Sequence, residues 1–314
     1  MTGDTLKGVL KLVRIPFLIL GLLLFLCGAL LAMDLGFRVT APAIILGYSI
    51  LLTAQLSVHL GNDYFDLETD LHGEPTPFSG GSGVLTVMPE LRRPARLAAM
   101  AFVGISVLLG AAYALLFIQD AASRTPFMVY ILGGNALSWT YTAPPIKLVY
   151  RGIGEIAVGL GVGTLWSGLG YLVTAGKIDL PFLFLALPFY FIVLACIIAT
   201  EIPDMAADRR ANKMTLVARW GERTGYTGAA MAAAAAPAVA MLPVAFPGLV
   251  PGVNFIPIAI IALFPVFASV LGIMRRPGDR PQLVNYMKGV MMSLFVAVIL
   301  ADAYFAGRLY NPLP

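Results

Sequence analysis

Charge is what this sequence has least of. Asp, Glu, Lys and Arg make up 12% of its 314 residues, against about 25% in soluble domains, and that shortage speaks against a soluble enzyme. Cysteine is nearly missing too. Cys27 and Cys196 are the only two, both inside apolar runs where they read as small hydrophobes, so a disulfide scaffold is ruled out and the redox compartment goes unmarked. Apolar residues dominate, which removes disorder and collagen. The small basic excess, +4 with a pI near 9.1, does not make a nucleic-acid partner, because that needs basic residues gathered on a solvated surface. Here they sit between hydrophobic runs, and no obligatory protein partner is evident either.

What is present is hydrophobic length: 59% of the residues are apolar and the mean hydropathy is +0.85. A helix crossing a bilayer needs about 20 mostly apolar residues. Nine runs qualify, near 15–33, 41–61, 95–118, 125–141, 153–174, 181–200, 226–245, 254–274 and 287–306. The first spans nearly the full thickness, lacks a clear small-residue cleavage site and is followed by eight more, so it reads as a first span and not as a signal peptide. With the N-terminus inside, 17 of the 21 Lys and Arg fall on one face, leaving Arg38, Arg124, Lys177 and Arg308 on the other. That asymmetry predicts an integral membrane protein with its N-terminus and its long polar loops, 62–94 and 201–225, in the cytoplasm. No composition break divides residues 1–314, which are expected to form one domain.

The second run ends in Asn62-Asp63-Tyr64-Phe65-Asp66-Leu67-Glu68-Thr69-Asp70. If the helix continues, Asp63, Asp66 and Asp70 lie at i, i+3 and i+7 on one face, with Asn62 on its edge. The sixth run ends in Glu201-Ile202-Pro203-Asp204-Met205-Ala206-Ala207-Asp208, and each acid falls 138 residues after its counterpart. Three carboxylates on one stripe repel one another and are costly to desolvate, so the pattern makes sense chiefly if divalent metal neutralises it. Oxygen ligands without His or Cys favour Mg²⁺, which usually enters a site with substrate phosphates. Arg14, Lys147, Arg151, Arg209, Arg210 and Lys213 lie on the same face to balance such an anion.

These two motifs resemble the aspartate-rich motifs of the UbiA superfamily of intramembrane prenyltransferases. The runs from Pro203 to Asp208 and Asn212 to Val217, with Tyr141-Thr142-Ala143-Pro144-Pro145, Lys147, Tyr150, Arg151 and Gly152, are similar to its menaquinone-branch (MenA-type) members. The resemblance implies an all-α fold of nine transmembrane helices bundled around a central cavity open to membrane lipids. It also implies transfer of a polyprenyl chain from a prenyl diphosphate to a small aromatic acceptor, such as a hydroxynaphthoate or hydroxybenzoate. Mg²⁺ would be held by Asn62, Asp63, Asp66, Asp70, Glu201, Asp204 and Asp208, and among these Asp66, Asp70, Asp204 and Asp208 would serve catalysis with Tyr141. Arg14, Thr142, Lys147, Arg151, Lys213 and Asn135 are the substrate-binding candidates. Family members commonly have Arg after the first motif, where this chain reads Glu74 to Gly83; Lys147 or the pair Arg92 and Arg93 are candidates to replace it.

Other residues keep two readings. The run Ser79 to Gly83 is either a phosphate-meeting lid or a plain turn. Tyr141 is a cation-stabilising ring or an interfacial belt residue. Asn135 makes an interhelical hydrogen bond or binds the acceptor, and His59 is a base, a neighbour tuning Asp63, or a packing residue. Gly159, Gly161, Gly163, Gly168 and Gly170 read as close helix packing. Transfer to a glycerol-phosphate lipid and terpene cyclisation use the same diphosphate chemistry. A carrier would place its ionisable residues near the bilayer midplane, whereas here they gather at one face.

Overall fold

A long apolar run in hydrocarbon must satisfy every backbone N–H and C=O within itself, which a helix does. The computed structural model describes residues 3–310, so the outermost residues of the expected 1–314 domain, 1–2 and 311–314, lie outside the described ones. Among the described residues all regular elements are helical. In chain order they begin with α1 (Gly3–Leu12), α2 (Ile15–Asp34), α3 (Ala41–Phe65), the single turns α4 (Leu67–Asp70) and α5 (Val84–Val87), α6 (Arg92–Phe117) and α7 (Ala121–Thr142). Next come α8 (Gly154–Val158), a π-helical stretch (Gly159–Leu165), α9 (Trp166–Ala175), α10 (Leu180–Arg210) and the short α11 (Leu216–Trp220). The chain closes with α12 (Glu222–Ala240), α13 (Leu242–Ala245), α14 (Ile256–Ile261), α15 (Leu263–Arg275) and α16 (Arg280–Tyr310).

Eight helical segments among the described residues are long and apolar enough to cross a membrane. The ninth expected span corresponds to α7, which has 22 residues but is interrupted by Ser123, Arg124, Asn135, Ser138, Thr140 and Thr142. Its start is set by Asp120, whose carboxylate accepts hydrogen bonds from Ala122 N and Ser123 N at 3.1 Å each, an N-cap. Inside the bundle Asn135 donates to Ser106 Oγ of α6 at 3.1 Å, and Ser106 donates to the Ile50 carbonyl of α3 at 3.1 Å. Asn135 therefore ties three helices together, the interhelical reading of the two.

α2 lies directly against α9, with backbone touching backbone. A Cβ on Gly28 would lie 1.9 Å from the Ser167 carbonyl oxygen, and one on Gly170 1.8 Å from that of Phe25, so only glycine permits this approach. Elsewhere α3 packs on α6 and α10 on α12.

Two expectations about the acid-bearing segments need correction. The polar loop expected over 201–225 is shorter, because α10 runs on helically to Arg210; Glu201, Asp204 and Asp208 thus lie on the helix end that their spacing predicts. α3, in contrast, does not continue through its motif but stops at Phe65, with Asp66 at φ −92° and ψ 7° before α4 restarts the turn. The stripe survives because Asp66 N still bonds the Asn62 carbonyl at 2.8 Å and Asp70 N the Asp66 carbonyl at 2.9 Å.

The basic asymmetry predicts that both acid-bearing ends lie on one side of the membrane. Cysteines introduced at Thr76 and Asn212 are expected to react with an impermeant maleimide only from the cytoplasmic side, and one at Lys177 only from the opposite side. Labelling of positions 76 and 212 from different sides would break the topology.

Candidate active site

The ends of α3 and α10 that carry the acids face a cavity of ≈ 240 Å³. Its wall includes Asn62, Asp63, Asp66 and Asp70 from the first motif, Glu201, Asp204 and Asp208 from the second, and Arg14, Tyr141 and Lys213. Residues from the π-helical stretch, Gly161 and Val162, complete one side, a local helix distortion of the kind that recurs at functional sites. Four other candidates lie off this wall. Thr142 donates to Asn62 Oδ1 at 2.9 Å and so holds a wall residue from behind. Asn135 is the interhelical tie. Lys147 lies over the Tyr150 ring at 4.7 Å. Arg151 donates to the carbonyls of Ile146 and Pro145 at 2.5 and 3.0 Å. Arg92, a candidate for the absent phosphate contact, bonds the Leu85 carbonyl at 3.1 Å.

The two cations of the wall sit among the carboxylates. Arg14, in a left-handed conformation between α1 and α2, pairs with Asp63 at 2.5 Å. Asp63 also accepts from Ser82 N at 3.2 Å and from the Ser82 hydroxyl, which fastens the glycine-rich loop onto the first motif. In the same loop Gly81 has φ +68°, and a Cβ there would lie 1.9 Å from Asp70 Oδ2; glycine is required on both counts. Lys213 pairs with Asp66 at 3.2 Å and lies 4.0 Å from Asp208, bridging the motifs. Asp66 further accepts from the Tyr150 hydroxyl at 3.0 Å.

Burial first, then the charges of Asp66 and Asp63, push the Asp70 carboxyl up to about 7, with Arg14 and Lys213 pulling against them. For Lys213 burial acts downward, but Asp66 and Asp208 outweigh it and hold the ammonium well above its ordinary value. In both, the surplus of carboxylates over the two cations pushes upward, and at Asp70 burial adds the larger part.

Among the described residues no three His, Cys, Asp or Glu side chains are close enough together to hold a metal ion. The donors nevertheless suit a hard cation. They are all oxygen, and Asp204 Oδ1 is buried with no hydrogen-bond partner, an atom left open for a ligand.

Four participants went unassigned in the sequence. Tyr150 supports Asp66, Ser82 supports Asp63, and Thr215 donates to Asp208 at 3.4 Å. Glu155 is 5% exposed and accepts from Leu216 N at 2.5 Å, while Glu201 accepts from Val217 N at 3.4 Å. The two acids thus satisfy successive free amides at the start of α11, next to Lys213. One signal was available for Glu155, an ionisable residue at the edge of an otherwise charge-free run.

The chain matches the UbiA prenyltransferase family over residues 21–295. It is 27% identical over 178 residues to 1,4-dihydroxy-2-naphthoate octaprenyltransferase of Bacillus subtilis (strain 168), a stretch covering 56% of this chain and 54% of that relative. The match therefore spans about half the relative's length. A UbiA homologue from Archaeoglobus fulgidus, solved with GPP and Mg²⁺, superimposes with a TM-score of 0.62 at 15% identity, covering 94% of this chain and 99% of that one. A digeranylgeranylglyceryl phosphate synthase gives 0.65 at 16% identity, covering 97% and 99%. At such identities the two structures establish the fold.

Proposed function

The chain belongs to the UbiA prenyltransferase family and is an integral membrane protein, and from that premise we propose that it transfers a polyprenyl group from its diphosphate to a small hydroxylated aromatic acceptor. The observation that carries this reading is the convergence of two acidic motifs and Lys213 on one cavity. The likeness to a naphthoate octaprenyltransferase supports the acceptor class.

In this reading Lys213 and Arg14 exchange some of their carboxylate contacts for the diphosphate oxygens, at a place where burial strengthens every charge interaction. Mg²⁺, when bound, would be held chiefly by Asp66, Asp70, Asp204 and Asp208, with Asn62, Asp63 and Glu201 beside them, and would take up charge on the departing diphosphate. The allylic C–O bond breaks with its electron pair leaving on the diphosphate. A ring carbon of the acceptor then bonds to the allylic carbon, and the ring proton passes to the released diphosphate. Tyr141, on the cavity wall, offers a π face to the cationic carbon. Tyr64 and Trp139 do not line the cavity; each ring packs on Phe65, at 5.1 and 5.5 Å, so they brace α3 and leave stacking on the acceptor to others. The excess of Lys and Arg on one face supports a cytoplasmic location for the N-terminus and both acid-bearing ends.

Tyr141→Ala is expected to lower kcat about 10- to 30-fold, the size of a desolvated cation–π contact, while the Mg²⁺ concentration for half-maximal rate stays where it is. A shifted metal requirement with unchanged kcat would contradict this role. The function itself is tested with purified protein in detergent, radiolabelled geranylgeranyl diphosphate, Mg²⁺ and a panel of acceptors. Label should enter a naphthoate or benzoate product, EDTA should abolish the transfer and Mg²⁺ restore it. Label found only in a glycerol ether or a cyclic hydrocarbon would overturn the aromatic assignment.

A further inference from the structure

Three buried polar atoms of the cavity wall have no hydrogen-bond partner: Asp204 Oδ1, Arg14 Nε and His59 Nε2. The first two belong to residues already set beside the diphosphate. His59 does not. It lies on α3 one helical turn before Asp63 and is 6% exposed, and its neighbours along the wall include Phe17, Leu20 and Val58. The Phe17 ring is 5.8 Å from the imidazole, and Phe78 stands edge-on to Phe17 at 5.9 Å.

This side of the cavity is unlike the side around Lys213. Rings and aliphatic side chains make up much of its surface beside Arg14, and His59 Nε2 is an unpartnered polar atom there that the diphosphate reading leaves unused. Such a surface suits a flat ring carrying one polar substituent better than it suits a diphosphate. Either tautomer of a neutral imidazole can meet a hydroxyl, accepting from it at a bare nitrogen or donating to its oxygen from N–H. An ether oxygen has no proton to give, and its alkyl group would be pressed against the imidazole.

We propose that His59 holds the hydroxyl of the aromatic acceptor and thereby selects hydroxylated rings over their ethers. The inference rests on the aromatic-acceptor reading above and adds to it the side chain that orients the ring. Removing the imidazole withdraws a contact made to one substrate only, so the diphosphate end should be unaffected. A buried polar group built to pair with a substrate hydroxyl discriminates strongly against analogues that cannot pair.

The test is equilibrium binding of 1-hydroxy-2-naphthoate and 1-methoxy-2-naphthoate to the full chain in detergent, alongside the KM for geranylgeranyl diphosphate. The wild-type protein should prefer the hydroxy compound by about 10-fold or more. His59→Phe and His59→Leu, two apolar replacements of different shape, should reduce that preference to less than about 2-fold with the diphosphate KM unmoved, and His59→Gln should retain most of it. Wild-type preference in the apolar variants, with naphthoate still prenylated, would overturn the role of His59 alone. A diphosphate KM that rises by the same factor would overturn it as well, since the histidine would then serve the whole cavity. A wild-type protein that transfers prenyl groups yet binds neither naphthoate would overturn the acceptor reading and this inference with it.

Discussion

Asp66→Asn and Asp204→Asn are each expected to cut turnover by at least about two orders of magnitude, the usual cost of removing one preorganised electrostatic contact from a transition state. Both substitutions keep the size of the side chain and one acceptor oxygen while removing the charge and turning the other oxygen into an NH2 donor. Asp66 keeps the Tyr150 hydroxyl as a partner, at 3.0 Å, and Lys213 keeps Asp208 at 4.0 Å, so the local geometry has support without the carboxylate. Asp204 has less to lose structurally, because its Oδ1 is unpartnered. Thermal unfolding in detergent should therefore change little while the rate of prenyl transfer collapses. A folded variant with near-normal activity would remove that motif from the chemistry.

Lys213→Met is the second large effect, with an expected loss of about 10²- to 10³-fold in kcat/KM for the prenyl diphosphate. The side chain is 16% exposed and stands between Asp66 and Asp208, so methionine leaves two carboxylates facing each other without their shared cation. That vacancy also lowers stability, since breaking a buried ion pair by removing one partner costs about 3–5 kcal/mol. The two consequences separate on adding Mg²⁺, which neutralises the carboxylates and should restore much of the stability without restoring the contact to the diphosphate. Lys213→Arg should recover part of the activity, because the guanidinium keeps the charge but not the compact ammonium geometry. Full activity in Lys213→Met, measured by initial rates over a range of prenyl diphosphate, would exclude the lysine from substrate binding.

Much of this molecule is legible in its sequence because lipid leaves the backbone so little choice. Where a run is apolar over about 20 residues, as in Ile15–Asp34 or Ile256–Arg275, helix and span follow together. α7 is harder, because Asn135 and its polar neighbours dilute the signal; Asn135 bonds Ser106 of α6 and Thr142 bonds Asn62 of α3. The stripes at the ends of α3 and α10 were readable from spacing alone. The break at Asp66 was not, since no glycine or proline marks it and the i+4 hydrogen bonds persist across it.

The cavity's second layer was less readable still. Contacts such as Ser82 with Asp63 and Glu155 with the start of α11 depend on how loops fold back over helix ends, which no periodicity encodes. Charge on the right face also proved a blunt guide. Arg14 and Lys213 reach the acids, whereas Arg151 is held on the backbone of its own loop and Lys147 stacks on Tyr150. The difference lies in backbone placement: the left-handed turn at Arg14 carries its guanidinium to Asp63, and nothing in the local sequence announces that turn.

The account turns on both acidic motifs acting on a single diphosphate, and a double-mutant cycle on prenyl transfer by Asp66→Asn and Asp204→Asn tests that most directly. Groups that act as one unit are strongly non-additive, so the double variant should be no more than about 10-fold slower than the slower single variant. Losses that multiply would mean two independent sites, and the shared cavity would then not be the seat of the reaction.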